Sequence, residues 1–447
     1  MGVTEALTRF LLQTTYEDFP REAVDRAKDL AIDFVGGALA GCQTHVSNIF
    51  TDYVKQMAAK PEAVIIGKNF RTTAQYASYL NGIFNHSTEL EAVSQRTSPN
   101  PLAVIATSLS VGDKMKLPGK KVLEGLILGF EIQGRVGGPS LKGVSKKGRI
   151  SIFNHLGTAS AASKLMGLNL EQSRMAIGTA AFQAGGLITT VGTMAHVSEL
   201  AFGSRDGIEA AELARKGFTS HPDIIETPQG FCDALIEEGG YDLNQMTRDL
   251  GKTFQIVNPG ISVKKYPCCY RAHRALDAFY DMVDEHHISH GDIDKVIVEM
   301  NLYDSYLMKF TEPRTGEEAK FSFRHIFGTA LLKGKVWIDS FSDEAASDRR
   351  YVEARRRVEE VVHRDWPPGR VDARVPVTIK LKDGRTFSKE NASPREPTLN
   401  QLLDRYREGA EGVLAPEQTK KSMELLLDME NSRDFSEIMS LLSAKSP

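Results

Sequence analysis

Cysteine is scarce in this chain. Cys42, Cys232, Cys268 and Cys269 are the only thiols in 447 residues, with no C-x-x-C spacing, so no disulfide scaffold is encoded and a reducing compartment is expected. The adjacent pair Cys268-Cys269 has no second pair with which to complete a zinc site, and no metal is expected. An excess of either charge is also missing. The 55 Lys and Arg nearly balance the 58 Asp and Glu, for a formal net charge of −3, which gives no electrostatic ground for binding nucleic acid or a membrane surface. The opening MGVTEALTRFLLQTTYEDF carries acids and no sustained apolar run. It matches neither a signal peptide nor a membrane span, and a cytoplasmic protein is expected. Ala6 stands where a myristoylation motif beginning at Gly2 needs Ser or Thr. Repeats, low-complexity tracts and a phosphate-binding glycine loop are absent, since QGRVGGP, Gln133 to Pro139, lacks the strand before and the helix after that such a loop needs.

What is present is a globular composition, 41% apolar and 25% charged, in a chain long enough for more than one core. Val24, Ala27, Leu30, Ala31, Phe34, Val35 and Ala38 recur at helical spacing, and Gly36-Gly37 leave room for a close neighbour. Further helices are predicted over 74–84, 102–111, 120–135 and 206–216, the last stopped by Gly217. Between His155 and Gly186 small residues crowd the apolar faces, which predicts a tightly packed helical centre. The pattern changes after residue 266. Val296, Val298 and Met300 alternate as in a strand, and Val375, Val377, Ile379 and Leu381 alternate into Asp383-Gly384, a hairpin signal. Helices are predicted between these strands, over 321–332 and 343–362, and again from Leu399 to Leu442. The expected fold is mainly α: a large all-helical domain over 1–265, a smaller α+β domain over 266–397, and C-terminal helices over 398–447 that return to the helical domain.

Chemistry-bearing residues concentrate in KKYPCCYRAHRALDA, Lys264 to Ala278. Pro267 holds Lys265 and Tyr266 extended, and Ala272, Ala275, Leu276 and Phe279 begin a helix. Lysines on a loop at a helix entrance, with Arg271 nearby, suit an anionic ligand bearing a carboxylate. A second basic loop, Leu141 to Ile150, gathers Lys142, Lys146, Lys147 and Arg149 around glycines and also reads as an ordinary solvated loop.

KKYPCCYRAHRALDA is similar to the K-P-Y-P-C-C-x-x-T-H-x-A-I-D-A segment of the MmgE/PrpD family. GFTSHPDIIETPQGF at Gly217 to Phe231 and AKFSFRHIFGTALLKGKV at Ala319 to Val336 resemble two more of its segments, in the same order. The family includes 2-methylcitrate dehydratase, cis-aconitate decarboxylase and iminodisuccinate epimerase. The resemblance implies a helical domain, an α+β lid, a cleft between them, a homodimer, and no metal or organic cofactor. It implies a lyase that handles a proton beside a carboxylate in a small di- or tricarboxylic acid, by dehydration or decarboxylation. An epimerase or isomerase using the same abstraction, and a non-catalytic ligand-binding homologue, are the alternatives.

Residue by residue, Lys264 falls on the family's lysine, a carboxylate clamp or proton donor, and His273 on its histidine. The family's N-H-A-x-D-F-D-D-T loop is here Asn85 to Val93: Asn85 and His86 are kept, Glu89 and Glu91 replace aspartates, and Ala92 and Val93 end the match. The His-Pro before the alanine-rich helix is lost to Gly148, leaving His155 as a substitute. In the T-K-P-L-H segment His196 takes the lysine's place and Glu199 the histidine's, making His196 a candidate general base that Glu199 orients. The catalytic candidates are thus Lys264, His196 and Glu89, with His86, Lys265, Tyr266, Arg271, His273, His155 and Arg149 for substrate binding.

Overall fold

Small residues decide how the helices meet. The structure is a computed structural model that describes residues 1–94, 100–140, 144, 147–367 and 373–444; Lys142 and Lys146 of the basic loop lie outside the described residues. We number the longer elements. Helix α1 (Val3–Gln13), α2 (Arg21–Gly41), α3 (His45–Gln56), α4 (Ala74–His86), α5 (Leu102–Met115), α6 (Gly119–Gly137), α7 (Asn154–Leu165), α8 (Leu170–Phe182) and α9 (Met194–Arg215) build the first part of the chain. A Cβ on Gly41 of α2 would lie 1.8 Å from the Phe84 carbonyl of α4, and one on Gly36 would lie 3.1 Å from the Tyr406 backbone on α2's other side. The same device packs the alanine-rich centre, where a Cβ on Gly207 of α9 would lie 2.2 Å from Thr158 Oγ1 of α7. Backbones at this distance exclude any larger side chain.

Helix α9 begins at Met194, twelve residues before the predicted start. Ser198, Gly203 and Ser204 blur its apolar period, but Gly203 packs directly on Asn154, so tertiary contact overrides the weak local signal. A two-stranded antiparallel pair, Ala63–Val64 with Arg71–Thr72, interrupts the otherwise helical first part.

The second part is built on a four-stranded sheet. Strands β1 (Ile293–Asn301), β2 (Val358–His363), β3 (Val377–Leu381) and β4 (Thr386–Lys389) lie in the order β2-β1-β3-β4. The β1–β2 pair is parallel; β3 and β4 form the predicted hairpin. The single long helix predicted over 343–362 is corrected here. Short helices Asp343–Ser347 and Arg349–Arg355 are followed by β2, because Val358, Val361 and Val362 complete the open edge of β1. Helices α10 (His273–Glu285) and α11 (Phe323–Lys333) cover the sheet and meet through Phe279 and Phe327, 5.7 Å between ring centroids. Helix α12 (Leu399–Ala410), α13 (Pro416–Leu427) and α14 (Phe435–Ser440) then place Leu402, Tyr406, Leu426 and Phe435 in the helical core. The fold is therefore mainly α with a smaller α+β part; each part has its own main apolar core, and a third, smaller cluster around Leu165, Met175 and Ile208 lies within the helical part. No helix among the described residues is long and apolar enough to cross a membrane.

Candidate active site

Helix α4 ends at His86, and the chain reverses at Glu89, whose φ of +55° is left-handed. A non-glycine residue held there stores local strain of the kind that collects at functional sites. Thr88 Oγ1 donates to the Asn85 carbonyl and accepts from Leu90 N–H, which secures the reversal. The returning segment is then tied to the stretch before Lys264: Val93 and Ser262 exchange backbone hydrogen bonds of 2.8 Å in both directions. Lys264 Nζ consequently donates to Glu89 Oε1 at 2.8 Å and to Glu91 Oε1 at 2.6 Å. These side chains are inside the protein, Lys264 1%, Glu89 5% and Glu91 3% exposed. Arg405 of α12 supports the arrangement from behind, donating to Asp33 at 2.6 Å and to the Lys264 carbonyl at 2.7 Å.

Two histidines complete the centre. His86 Nδ1 donates to the Val197 carbonyl at 2.9 Å, which leaves Nε2 with its lone pair. Burial, with His196 beside it, pushes His86 down to about 3, so it is neutral. His196 lies in the first turn of α9, its ring edge-on to His86 and to Phe321 with centroids 4.9 and 5.4 Å away. Its Nδ1 is 3.1 Å from Glu199 Oε1, a charge contact not aligned as a hydrogen bond. Glu199 is itself fixed by Ser151 Oγ and Thr190 Oγ1, each donating at 3.1 Å.

These contacts set the charges. Burial opposes the charge on Lys264, but Glu89 and Glu91 outweigh it and raise its pKa. Burial also opposes ionisation of Glu89, yet Lys264 and the histidines prevail and hold it below the usual carboxylate range. Glu91 goes the other way: burial and then the neighbouring Glu89 charge raise it. For His196, burial works against the imidazolium, while Glu199, Glu89 and Glu91 favour it and win. The centre thus holds an anionic Glu89 and a cationic Lys264, with His196 drawn toward its imidazolium by the carboxylates around it. Charged His196 has a proton to give, whereas the general-base role expected for it needs the neutral ring.

The structure brings Lys264, Glu89, His86 and His196 together. The other candidates make contacts of their own, although His273 lies near enough to feel the charges of Lys264 and Glu89. Lys265 and Tyr266 both bond Asp277, at 3.1 and 2.9 Å, and line a separate surface cleft with Trp337 and Arg395. His273 is buried against Tyr266 and Tyr270 with Nε2 3.3 Å from the Cys268 carbonyl, and burial pushes it down to about 3. Arg271 pairs with Asp304 at 3.1 Å and lines a cavity of about 150 Å³ with Ser94, Cys269 and Arg274. His155 Nε2 contacts Asp206 Oδ2 at 3.2 Å inside the helical packing. Arg149 forms a backbone bridge with Leu187. Glu91 and the Ser151 and Thr190 supports were absent from the expected set. A cleft of about 580 Å³ between the two cores is lined by Ser87, Thr88 and Met194 on one side and by Lys320 and Phe341 on the other, beside this centre. Lys320 Nζ closes one corner by donating to the Ser87 carbonyl at 2.9 Å.

His86, Glu89 and His196 also bring atoms of metal-ligand type within 4.8 Å of one another. The Lys264 ammonium on Glu89 and the charge on His196 oppose a divalent cation there. The arrangement instead suits moving a proton in an anionic ligand.

Comparison with known proteins gives a consistent picture. The MmgE/PrpD N-terminal domain model matches residues 5–244, and the MmgE/PrpD C-terminal domain model matches residues 266–429. The chain is 26% identical to the cis-aconitate decarboxylase-like protein oryM of Aspergillus oryzae, over 99% of this chain and 98% of that protein. It is 24% identical to cis-aconitate decarboxylase of Mus musculus, over 100% and 94% of the two chains, and 23% identical to that of Homo sapiens, over 95% and 91%.

Proposed function

Because the chain belongs to the MmgE/PrpD family, we propose that it is a lyase acting on a small di- or tricarboxylic acid, with proton transfer at a carbon beside a carboxylate. The observation that carries this reading is the Glu89–Lys264–Glu91 contact beside His196, whose imidazolium Glu199, Glu89 and Glu91 favour. Lys264 and His196 meet the negative charge that grows on the substrate carboxylate, where fixed cations in a dry site act most strongly. Glu89, held ionised, accepts the carbon-bound proton. His196 delivers a proton to the leaving hydroxyl in a dehydration, or to the carbon that keeps the bonding electron pair when carbon dioxide departs. The dehydration thus moves two protons, one from carbon to Glu89 and one from His196 to the departing hydroxyl, whereas the decarboxylation moves one, from His196 to carbon.

A second reading keeps these residues and ends in epimerisation or isomerisation. It draws on the opposite charges of Glu89 and His196, which let one take a proton and the other return it at a different face or carbon. We also expect a homodimer that needs no added cofactor, to be checked by light scattering and by assay after chelation. The chemistry is tested by incubating the protein with cis-aconitate, 2-methylcitrate and aspartate-like diacids in deuterated water and following the NMR spectra. Loss of water or carbon dioxide from one of these acids is expected. Deuterium exchange without net loss replaces this reading with the isomerase, and no change in any acid overturns both.

A further inference from the structure

Two buried carboxyl groups share one ammonium. Lys264 Nζ reaches Glu89 Oε1 at 2.8 Å and Glu91 Oε1 at 2.6 Å, and all three side chains lie in the interior. Two like charges around a single cation away from water disfavour joint ionisation, so one carboxyl keeps a proton. The surroundings choose which. Glu89 Oε2 lies 3.7 Å from His86 Nε2, and Lys264 with the histidines outweighs burial and favours the Glu89 charge. The groups around Glu91 are less favourable to an anion. On the turn after α4 it meets anionic Glu89 and the neutral His86 ring, whose Nε2 is 3.9 Å from Oε1. From the 264 stretch it meets Lys264 and, further off, the Cys268 thiol, which burial keeps protonated. His196 on α9 is engaged with Glu199 at 3.1 Å. Burial, and then Glu89, accordingly raise Glu91. Oε1 accepts from Lys264, which leaves the proton to Oε2, and Glu91 Oε2 is buried with no partner among the described residues. A buried O–H with nothing to donate to costs free energy that an acceptor on a ligand recovers.

We propose that Glu91 is a neutral carboxylic acid whose Oε2–H donates a hydrogen bond to a carboxylate oxygen of the ligand, beside the Lys264 ammonium. An O–H donor to a carboxylate makes a short, strong hydrogen bond, whereas an ionised Glu91 in the same place repels the ligand. The role is one of binding. Glu89 still takes the proton from carbon and His196 still delivers one, while Glu91 donates without ionising. The acidic ligand is taken from the lyase reading above, on which the proposal rests for its ligand class but not for turnover.

Two substitutions separate a donor from a charge. Glutamine has the shape of a protonated glutamate, with an amide N–H in place of Oε2–H, and methionine offers neither donor nor charge. Succinate, cis-aconitate and 2-methylcitrate are titrated at pH 6.5 into full-length wild type, Glu91→Gln and Glu91→Met after chelation and dialysis. For at least one acid, Glu91→Gln is expected to bind within about threefold of wild type and Glu91→Met about tenfold or more weakly, the loss of a hydrogen bond to a charged group. Infrared difference spectra of protein carrying a heavy carbon isotope in its glutamate carboxyl groups read the proton itself. A protonated-carboxyl band is expected in wild type, missing from Glu91→Gln, and displaced to lower frequency when the acid binds. That displacement is measured in wild type and decides alone if the variants do not fold. Tighter binding by Glu91→Gln by about tenfold reveals an ionised Glu91 and overturns the proposal. Equal binding by the two variants, binding of none of the acids to wild type, or a band that no acid displaces, as for a carboxyl bonded to a buried water, also overturns it. The lyase reading fails separately, by the absence of turnover and exchange in wild type that binds the acid.

Discussion

Replacing Lys264 by methionine keeps the aliphatic stem and removes the ammonium from between Glu89 and Glu91, which it contacts at 2.8 and 2.6 Å. At pH 7.5 one buried carboxylate is left without its cation, and breaking such a contact costs about 3–5 kcal/mol. The pH dependence follows from the direction of each shift. In the wild type Glu89 is depressed, so its contribution to stability is present above its unfolded pKa and is lost as pH falls through the folded value. Lys264 is raised, so its contribution is intact below its unfolded pKa and is lost only as pH rises through the folded value, well above the range tested. In Lys264→Met burial dominates Glu89 and raises it as it raises Glu91. Both then take up protons as pH falls, and the deficit shrinks. Thermal unfolding of wild type and variant at pH 7.5 and pH 5 reads this directly, and the gap between transition temperatures should be clearly smaller at pH 5. Turnover at pH 7.5 should fall by about a hundredfold or more, the usual loss when a fixed donor to developing negative charge is removed. An equal gap at both pH values refutes the assignment of the cost to buried charge, and an unchanged kcat refutes the role of Lys264.

Three further outcomes are expected. If His196 acts as a cation, kcat declines as pH rises through its pKa, which lies above the ordinary 6.5 because Glu199, Glu89 and Glu91 overcome burial; His196→Lys should move that decline to higher pH, as a pH–rate profile shows, and an unmoved profile removes His196 from the mechanism. Glu199→Gln, which takes away the charge 3.1 Å from His196 Nδ1, should shift the same decline downward by about one pH unit with little change in KM. Gly41→Ala places a Cβ 1.8 Å from the Phe84 carbonyl just before His86, so it should lower stability by about 1–3 kcal/mol and reduce kcat together with the thermal transition; full activity at an unchanged transition temperature contradicts the close packing of α2 on α4.

How much of this was legible in the chain depends on the range over which each feature is determined. The Lys-x-Tyr-Pro-Cys-Cys run is local, and it marked Lys264 because the residue types themselves are unusual together. The partners of Lys264 are not local. Glu89 lies 175 residues away and is delivered by a left-handed turn at a residue type that rarely adopts one. Lys265 shows the reverse case. The chain bends over residues 265–268 instead of staying extended, so the adjacent lysines part, and Lys265 turns to Asp277 while Lys264 enters the centre. The strand at 358–363 was hidden by its charges, since Glu359 and Glu360 sit on an edge strand whose identity comes from pairing with β1. The helices around small residues were readable as helices. Their contacts, such as Gly36 against Tyr406, join segments far apart in the chain and leave no periodic trace.

The exchange of lysine for His196 and of histidine for Glu199, relative to the pattern the sequence resembles, is best understood as one change. A lysine keeps its charge in most settings, but a buried imidazole does not: His86, under the same burial and beside His196, is driven neutral although Glu89 and Glu91 stand 3.7 and 3.9 Å from its Nε2. His196 keeps a cation at this position because Glu199 stands 3.1 Å from Nδ1, and Glu199 is in place because Ser151 and Thr190 hold both of its oxygens. Ser151 takes a left-handed φ of +64° to do so. The charge that a lysine carries unconditionally is therefore made conditional on two loops, one before α7 and one before α9. Whatever displaces either loop weakens the cation that the proposed reaction calls on, so order in those loops and the protonation of His196 are coupled.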